Sequence, residues 1–226
     1  MKLKRIGHEL THHMPFTILG TALGAVMMII VTRTGMSRDV SVRLFEIAHP
    51  AHVLMSAIVT AAMFRLHGGG KWWSTILVGY FGSIGVATVS DCIIPFVGEA
   101  LVGLPHAHVH LGFVEEWYLV NLLAALGIAI AFVWPKTKLP HAGHVLLSTF
   151  ASLFHMTMAL GTDLDAVTLA VLPVFLFLAV WLPCCTSDIA FPLLFVRDGE
   201  LPPCEHCRRK GQAAETTPAG AEEPSA

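Results

Sequence analysis

Charge is what this chain lacks most. Only 13 % of its 226 residues are Asp, Glu, Lys or Arg, roughly half the share in a water-soluble domain. Most of its surface must therefore meet something other than water. Fourteen Lys plus Arg against sixteen Asp plus Glu leave it near neutral, so it has no basic excess with which to hold a nucleic acid. Its five cysteines, Cys92, Cys184, Cys185, Cys204 and Cys207, form no even, spaced framework of the secreted kind. Nothing in the sequence resembles a cleaved signal. The first apolar run follows Lys2, Lys4 and Arg5 but is longer than a signal's hydrophobic core, so it reads as a true first transmembrane helix.

What is present is apolar length. Six stretches, at about 14–32, 49–66, 74–97, 117–134, 143–161 and 167–195, reach or approach the roughly twenty residues that cross a hydrocarbon core. The last contains Pro173, Pro183 and Pro192, which should kink or break it. Eleven of the fourteen basic residues fall in the segments that share a side with the N-terminus, and only Arg33, Arg38 and Arg43 fall opposite. That bias places both termini in the cytoplasm of a bacterial-type inner membrane. From about Arg197 the chain turns polar and ends in AAETTPAGAEEPSA, which buries too little apolar area to fold.

The stretches repeat. His49-Pro-Ala-His52-Val-Leu-Met-Ser56 returns ninety-two positions later as His141-Ala-Gly-His144-Val-Leu-Leu-Ser148. Ser90-Asp91 followed by Pro95 returns as Ser187-Asp188 followed by Pro192, and Leu19, Ala22, Leu23 and Gly24 match Leu122, Ala125, Leu126 and Gly127. The order is kept along the chain. The expected architecture is an all-α polytopic membrane protein of about six transmembrane helices in two three-helix units, 1–104 and 105–197, with a disordered tail over 198–226. Three is odd, so the second unit enters the membrane from the opposite side. Such inverted repeats are typical of secondary transporters, whose substrate sites lie near the midplane.

Thirteen histidines bias the chemistry toward metals or protons. His49/His52 and His141/His144 are i, i+3 pairs, each on one helix face, and two imidazoles so placed can hold a divalent ion. Opposite entry would set the two pairs near opposite mouths, as gates, and they could meet only if both helices start in deep vestibules. His155 lies deeper in the fifth stretch and should face the protein interior. Asp91 and Asp188, with Ser90 and Ser187, are expected at helix breaks that free backbone carbonyls, which membrane depth tolerates only beside a cavity or inside protein. They are the expected central transport site. Nearby Cys92, Cys184 and Cys185 would favour a transition metal. His8, His12 and His13, the alternating His106, His108 and His110 with Glu115 and Glu116, and Asp163 with Asp165 could gather cations at the mouths. Cys204-Glu-His-Cys207 is a lone CxxC, short of the four ligands of a structural zinc site.

Other classes fit less well. His8-Glu9-Leu10-Thr11-His12 has the HExxH form of a zinc protease, but it starts close to the N-terminus and Pro15 follows it. Haem ligation by His52 and His144 is awkward if they enter from opposite faces. A non-transporting protein that senses metal or pH is a third possibility.

Cys185-Thr-Ser-Asp-Ile-Ala-Phe-Pro-Leu-Leu resembles the TSDEAxPxLL stretch of a family of membrane metal transporters and heavy-metal exporters related to the arsenic-permease group. His8-x3-His12-His13-Met-Pro-Phe16 resembles the histidine-then-LPF start of that family's first helix. The chain has Ile189 where the family is acidic, lacks its PQCGFS stretch and is shorter. The resemblance implies divalent-cation transport with Ser187 and Asp188 in the path. The combined expectation is a transporter, not an enzyme, moving a divalent transition-metal cation such as manganese, zinc or iron. It would be coupled to protons because such ligands release protons on binding metal, need no organic cofactor, sit in a lipid bilayer and pair as a homodimer.

Overall fold

The computed structural model describes residues 2–35, 37–66, 71–135, 138–160, 165–185 and 191–195; the side chains of 2–14, 16, 32, 138, 139, 141, 184, 185 and 193 fall outside that description. Every regular element among these residues is helical: α1 (Lys2–Thr34), α2 (Arg38–Leu66), α3 (Trp72–Thr88), a π-helical segment (Val89–Ile93), α4 (Ile94–Leu101), α5 (Gly112–Glu115), α6 (Trp117–Val133), α7 (Lys138–Ala159), α8 (Ala166–Cys185) and α9 (Phe191–Leu194).

Among the described residues three helical stretches are long and apolar enough to cross a membrane: Arg38–Leu66, the continuous Trp72–Leu101, and Ala166–Pro183; Thr17–Val31 and Trp117–Val133 are shorter apolar helices. The polarity of the bundle is inside out. Ile18, Leu19, Leu23, Val26, Ile29 and Ile30 of α1 are exposed, as are Leu122 and Leu126 of α6, while His49, His52, Asp91, Glu99, His144 and His155 are buried. In water that distribution would be costly on both counts. In hydrocarbon it is the stable one, because helices contribute all their own backbone hydrogen bonds and polar side chains turn inward.

α2 and α7 form the centre. α2 runs along α7 and is flanked by α3 and α6, whereas α7 is flanked by α1 and α8. Small residues set these approaches, as between membrane helices generally. A Cβ on Gly127 of α6 would stand 2.5 Å from the Leu54 carbonyl oxygen and 2.8 Å from the Ala57 Cβ, both on α2. A Cβ on Gly24 of α1 would stand 2.7 Å from Leu176 of α8 and 3.4 Å from Thr149 of α7. At the far end of α2, the Arg65 guanidinium donates to the carbonyls of Ala131 (2.9 Å) and Phe132 (2.7 Å). It thereby satisfies carbonyls that the end of α6 leaves open, at the helix pole that favours a cation.

Two expectations need correction. α2 starts at Arg38, not near His49, because Asp39, Arg43 and Glu46 continue the helix outside the apolar run. His49 and His52 thus lie about three turns inside it. The expected break at Asp91 is instead a π-helical turn within an unbroken helical path, in which the Ile94 amide donates five residues back to the Val89 carbonyl. Pro95 lacks an N–H to continue the regular ladder, and one extra residue in the turn absorbs that loss.

Candidate functional site

The π turn places Asp91 against α2 and α7. Its Oδ2 accepts from His49 Nδ1 at 2.9 Å and from His52 Nδ1 at 2.6 Å. Its Oδ1 accepts from Ser90 Oγ at 2.8 Å and from Ser148 Oγ, on α7, at 3.3 Å. The two hydroxyls are themselves 2.6 Å apart, and Ser152 Oγ donates to the Ser90 carbonyl at 3.2 Å. Four donors converge on one carboxylate whose exposure is 0 %. An aspartate at the centre of an apolar span costs about 2.5–3.5 kcal/mol on insertion scales, and this shell is what offsets that cost.

The ring of His52 stacks on that of His144 with centroids 4.6 Å apart. The expectation that the two pairs stand at opposite mouths therefore fails for these two residues. α2 extends well before its histidines, which carries His52 into the bundle to meet His144. An imidazole that donates from Nδ1 carries its lone pair on Nε2, the form in which histidine binds a metal, and a carboxylate on the other nitrogen is its usual outer partner. His49 Nε2 is buried with no hydrogen-bond partner, as are Ser56 Oγ and Thr60 Oγ1 further along α2. With His52 these residues fall at i, i+3, i+7 and i+11, a single face of the helix.

A second buried pair lies beyond Phe45. His155 Nδ1, from α7, faces Glu99 Oε1, from α4, at 2.7 Å, and the His110 backbone N–H points at His155 Nε2 at 3.4 Å. Phe45 stacks on His49 at 5.3 Å and meets His155 edge-on at 5.5 Å. Glu99, Phe45 and Ser148 were not singled out by sequence, although an acid just past an apolar run, and a serine closing both copies of HxxHVLxS, were visible signals. Gly112 is a further such residue, since a Cβ there would stand 2.3 Å from His49 Cδ2.

The remaining candidates are scattered. His106 and His108 are exposed, His108 lies 5.0 Å from the His110 ring, and His110 Nδ1 faces Glu115 Oε2 at 3.3 Å. Burial, aided by the nearby Glu46 and Glu115, pushes the Glu116 carboxyl up to about 7. Asp165 caps α8 by accepting from the Thr168 amide at 2.7 Å, and hydrogen bonds from the Thr168 side chain and then its amide hold the carboxyl below the usual range. The side chains of His8, His12 and His141, and residues Asp163, Ser187, Asp188, Cys204 and Cys207, lie outside the described residues; the HELTH backbone is part of α1. Among the described residues no group of three or more His, Cys, Asp or Glu side chains is arranged to hold a metal as it stands. Comparison with protein-family models, with curated proteins and with solved structures gives no match.

Proposed function

We propose that this chain is a multi-pass membrane transporter of a divalent transition-metal cation, coupled to protons. Its centre is the imidazole cluster of His49, His52 and His144, held by Asp91. The observation that carries this reading is an ionisable cluster of four side chains, each 0–1 % exposed, at the centre of a bundle with an apolar exterior. Intramembrane ionisable residues are expensive and mark ion pathways by default. Asp91 acts here by fixing the imidazole tautomers, and His49 Nε2 is the first free ligand. The stripe of Ser56 Oγ and Thr60 Oγ1 continues the polar track along α2 toward its C-terminal end.

The contacts favour two units of opposite orientation, six spans in all. His52 stacks on its own repeat counterpart, His144, which is what a two-fold axis between the units requires. Gly127 packs on Ala57, and its counterpart Gly24 packs on Thr149, which is the counterpart of Ala57. Sites at such a repeat interface serve transport by alternating exposure to the two sides. The likeness of the 185–194 segment to metal exporters points the same way, and the basic-residue bias gives cytoplasmic termini. A sealed cluster suits an ion better than a protease substrate, which must bring a peptide to the metal.

The test is Zn²⁺ and Mn²⁺ flux into proteoliposomes, with equilibrium metal binding in detergent, for wild type and Asp91→Asn. Wild type is expected to bind and move at least one of the two ions. The variant should bind about 10–100-fold more weakly, the range for loss of a carboxylate behind a ligating histidine. Equal binding and flux by the two proteins would overturn the assignment.

A further inference from the structure

We propose that Glu99 and His155 form the proton-binding station of this transporter, separate from the cation cluster at Asp91 and reached from the side of His110 and Glu115. The proposal rests on the cation-transport reading and names the site of its coupling ion.

The backbone fixes where the proton of the pair sits. An amide can only donate, so the His110 N–H aimed at His155 Nε2 assigns the lone pair to that nitrogen. The imidazole proton then sits on Nδ1 and points at Glu99 Oε1, 2.7 Å away. A doubly protonated ring would set two N–H groups against each other. His155 is thus held as a neutral donor, and Glu99 is the group that can gain or lose a proton. Its other oxygen, Oε2, is buried with no hydrogen-bond partner. In hydrocarbon surroundings an open carboxylate oxygen calls for a cation or a proton.

The surroundings select the proton. His155 comes from α7 and the His110 amide from the α4–α5 connection, and Asp91 and Cys92 lie on the π segment that precedes α4. From α8 the described neighbour is Phe175, against Gly98. His49 on α2 lies behind the Phe45 ring. Among the described residues Glu99 has one imidazole beside it, too few donors for a divalent ion but sufficient for a proton. Access runs outward: the His110 ring lies 5.9 Å from that of His155, and its Nδ1 faces Glu115, whose side chain is 48 % exposed. A proton taken from this side forms the O–H bond on Oε2 and turns the carboxylate into a carboxylic acid, while the His155 bond to Oε1 remains. Phe45, which has no titratable group, separates this step from the imidazole cluster.

Separation still permits coupling. Asp91 and Glu99 are eight residues apart on one helical path, an axial distance of about 12 Å. At an effective dielectric of about 20, two positive charges at that distance oppose one more by about a hundredfold in affinity. Cation loading at the imidazoles and protonation of Glu99 therefore exclude each other, which is the condition for exchange of one for the other.

The experiment uses Zn²⁺ as probe with Glu99→Gln in detergent and in proteoliposomes. The amide keeps the charge of the protonated acid, so the variant should bind Zn²⁺ as wild type does at low pH and about a hundredfold more weakly than wild type at high pH. Its binding should lose the pH dependence worth about one proton, and an imposed pH gradient should drive its uptake at least tenfold less. Without any metal, infrared difference spectra on a pH step should show a carboxylic-acid band in wild type that Glu99→Gln removes. If that variant does not fold, Glu99→Asp should keep the band at a shifted frequency. A gradient-driven flux and a band both unchanged in Glu99→Gln, or a band unshifted in Glu99→Asp, would overturn the proposal. Failure of the transport reading looks different: wild type that moves no Zn²⁺ or Mn²⁺, or Asp91→Asn that binds as wild type does.

Discussion

Asp91 and Glu99 belong to one helical stretch, are equally buried and each face an imidazole nitrogen, yet they are furnished in opposite ways. Asp91 receives two imidazoles on one oxygen and two hydroxyls on the other. Glu99 receives one imidazole on one oxygen and nothing on the other. A carboxylate saturated by four donors is a fixed anion that orients its neighbours. One with an open oxygen is a place for something to arrive. Burial is the same in both cases, so it is the count of donors that separates a scaffold from a receptor.

The largest expected effect breaks that contrast at its strong end. Asp91→Asn removes the charge that holds His49 and His52, and metal affinity should fall about 10–100-fold in a competition titration. Glu99→Gln in the same titration should bind like wild type at low pH, where the wild-type carboxyl is protonated, and about a hundredfold more weakly at high pH. A loss in Glu99→Gln that is the same at every pH would mean the two carboxylates form one site. Next comes Gly112→Ala, whose Cβ would overlap His49 Cδ2. It should displace that ring, weaken metal binding by about tenfold and cost about 1–3 kcal/mol of stability. Adding His49→Ala should restore the stability and not the binding, which a double-mutant cycle reads directly.

Smaller effects test the frame that both carboxylates share. Gly127→Ala forces a methyl against the Leu54 carbonyl, and backbone cannot step aside as a side chain tip can. It should destabilise by about 1–3 kcal/mol, whereas Gly85→Ala, with nothing within 4 Å, should be neutral or stabilise by less than about 1 kcal/mol. Denaturation in mixed micelles compares them. The smallest effect belongs to Glu116, whose carboxyl is raised from its ordinary 4.5 to about 7 in the folded protein. The fold holds that proton more tightly than the unfolded chain does, so its contribution to stability declines as pH rises from 4.5 to 7. Glu116→Gln should flatten the melting temperature across that window without altering metal affinity.

Much of this was legible beforehand, and the reasons are local. Apolar runs over 49–66 and 74–97 fall within observed helices, and 117–134 overruns α6 by one residue, because apolar length needs no partner to be read. His155 and Asp91 were marked as interior groups because a charge in an apolar run has to turn inward. The π turn was signalled by Pro95, though as a break, since sequence shows the missing N–H and not how the ladder closes around it. His52 against His144 was placed at two mouths because helix starts were taken from hydropathy, and charged turns such as 38–46 lie outside that measure. Glu99 was passed over because nothing in its own neighbourhood names His155, fifty-six positions away.

The sequence by itself determined the helical, apolar-faced character of the chain, the repeated motifs, and the list of side chains that had to be buried or paired. These follow from composition and short spacing, which act along the chain. Only the tertiary structure decided which carboxylate meets which imidazole, and how many donors each receives. Those pairings depend on the approach of α2, α4 and α7, set to fractions of an ångström by contacts such as Gly112 on His49, and no local pattern encodes a distance between helices.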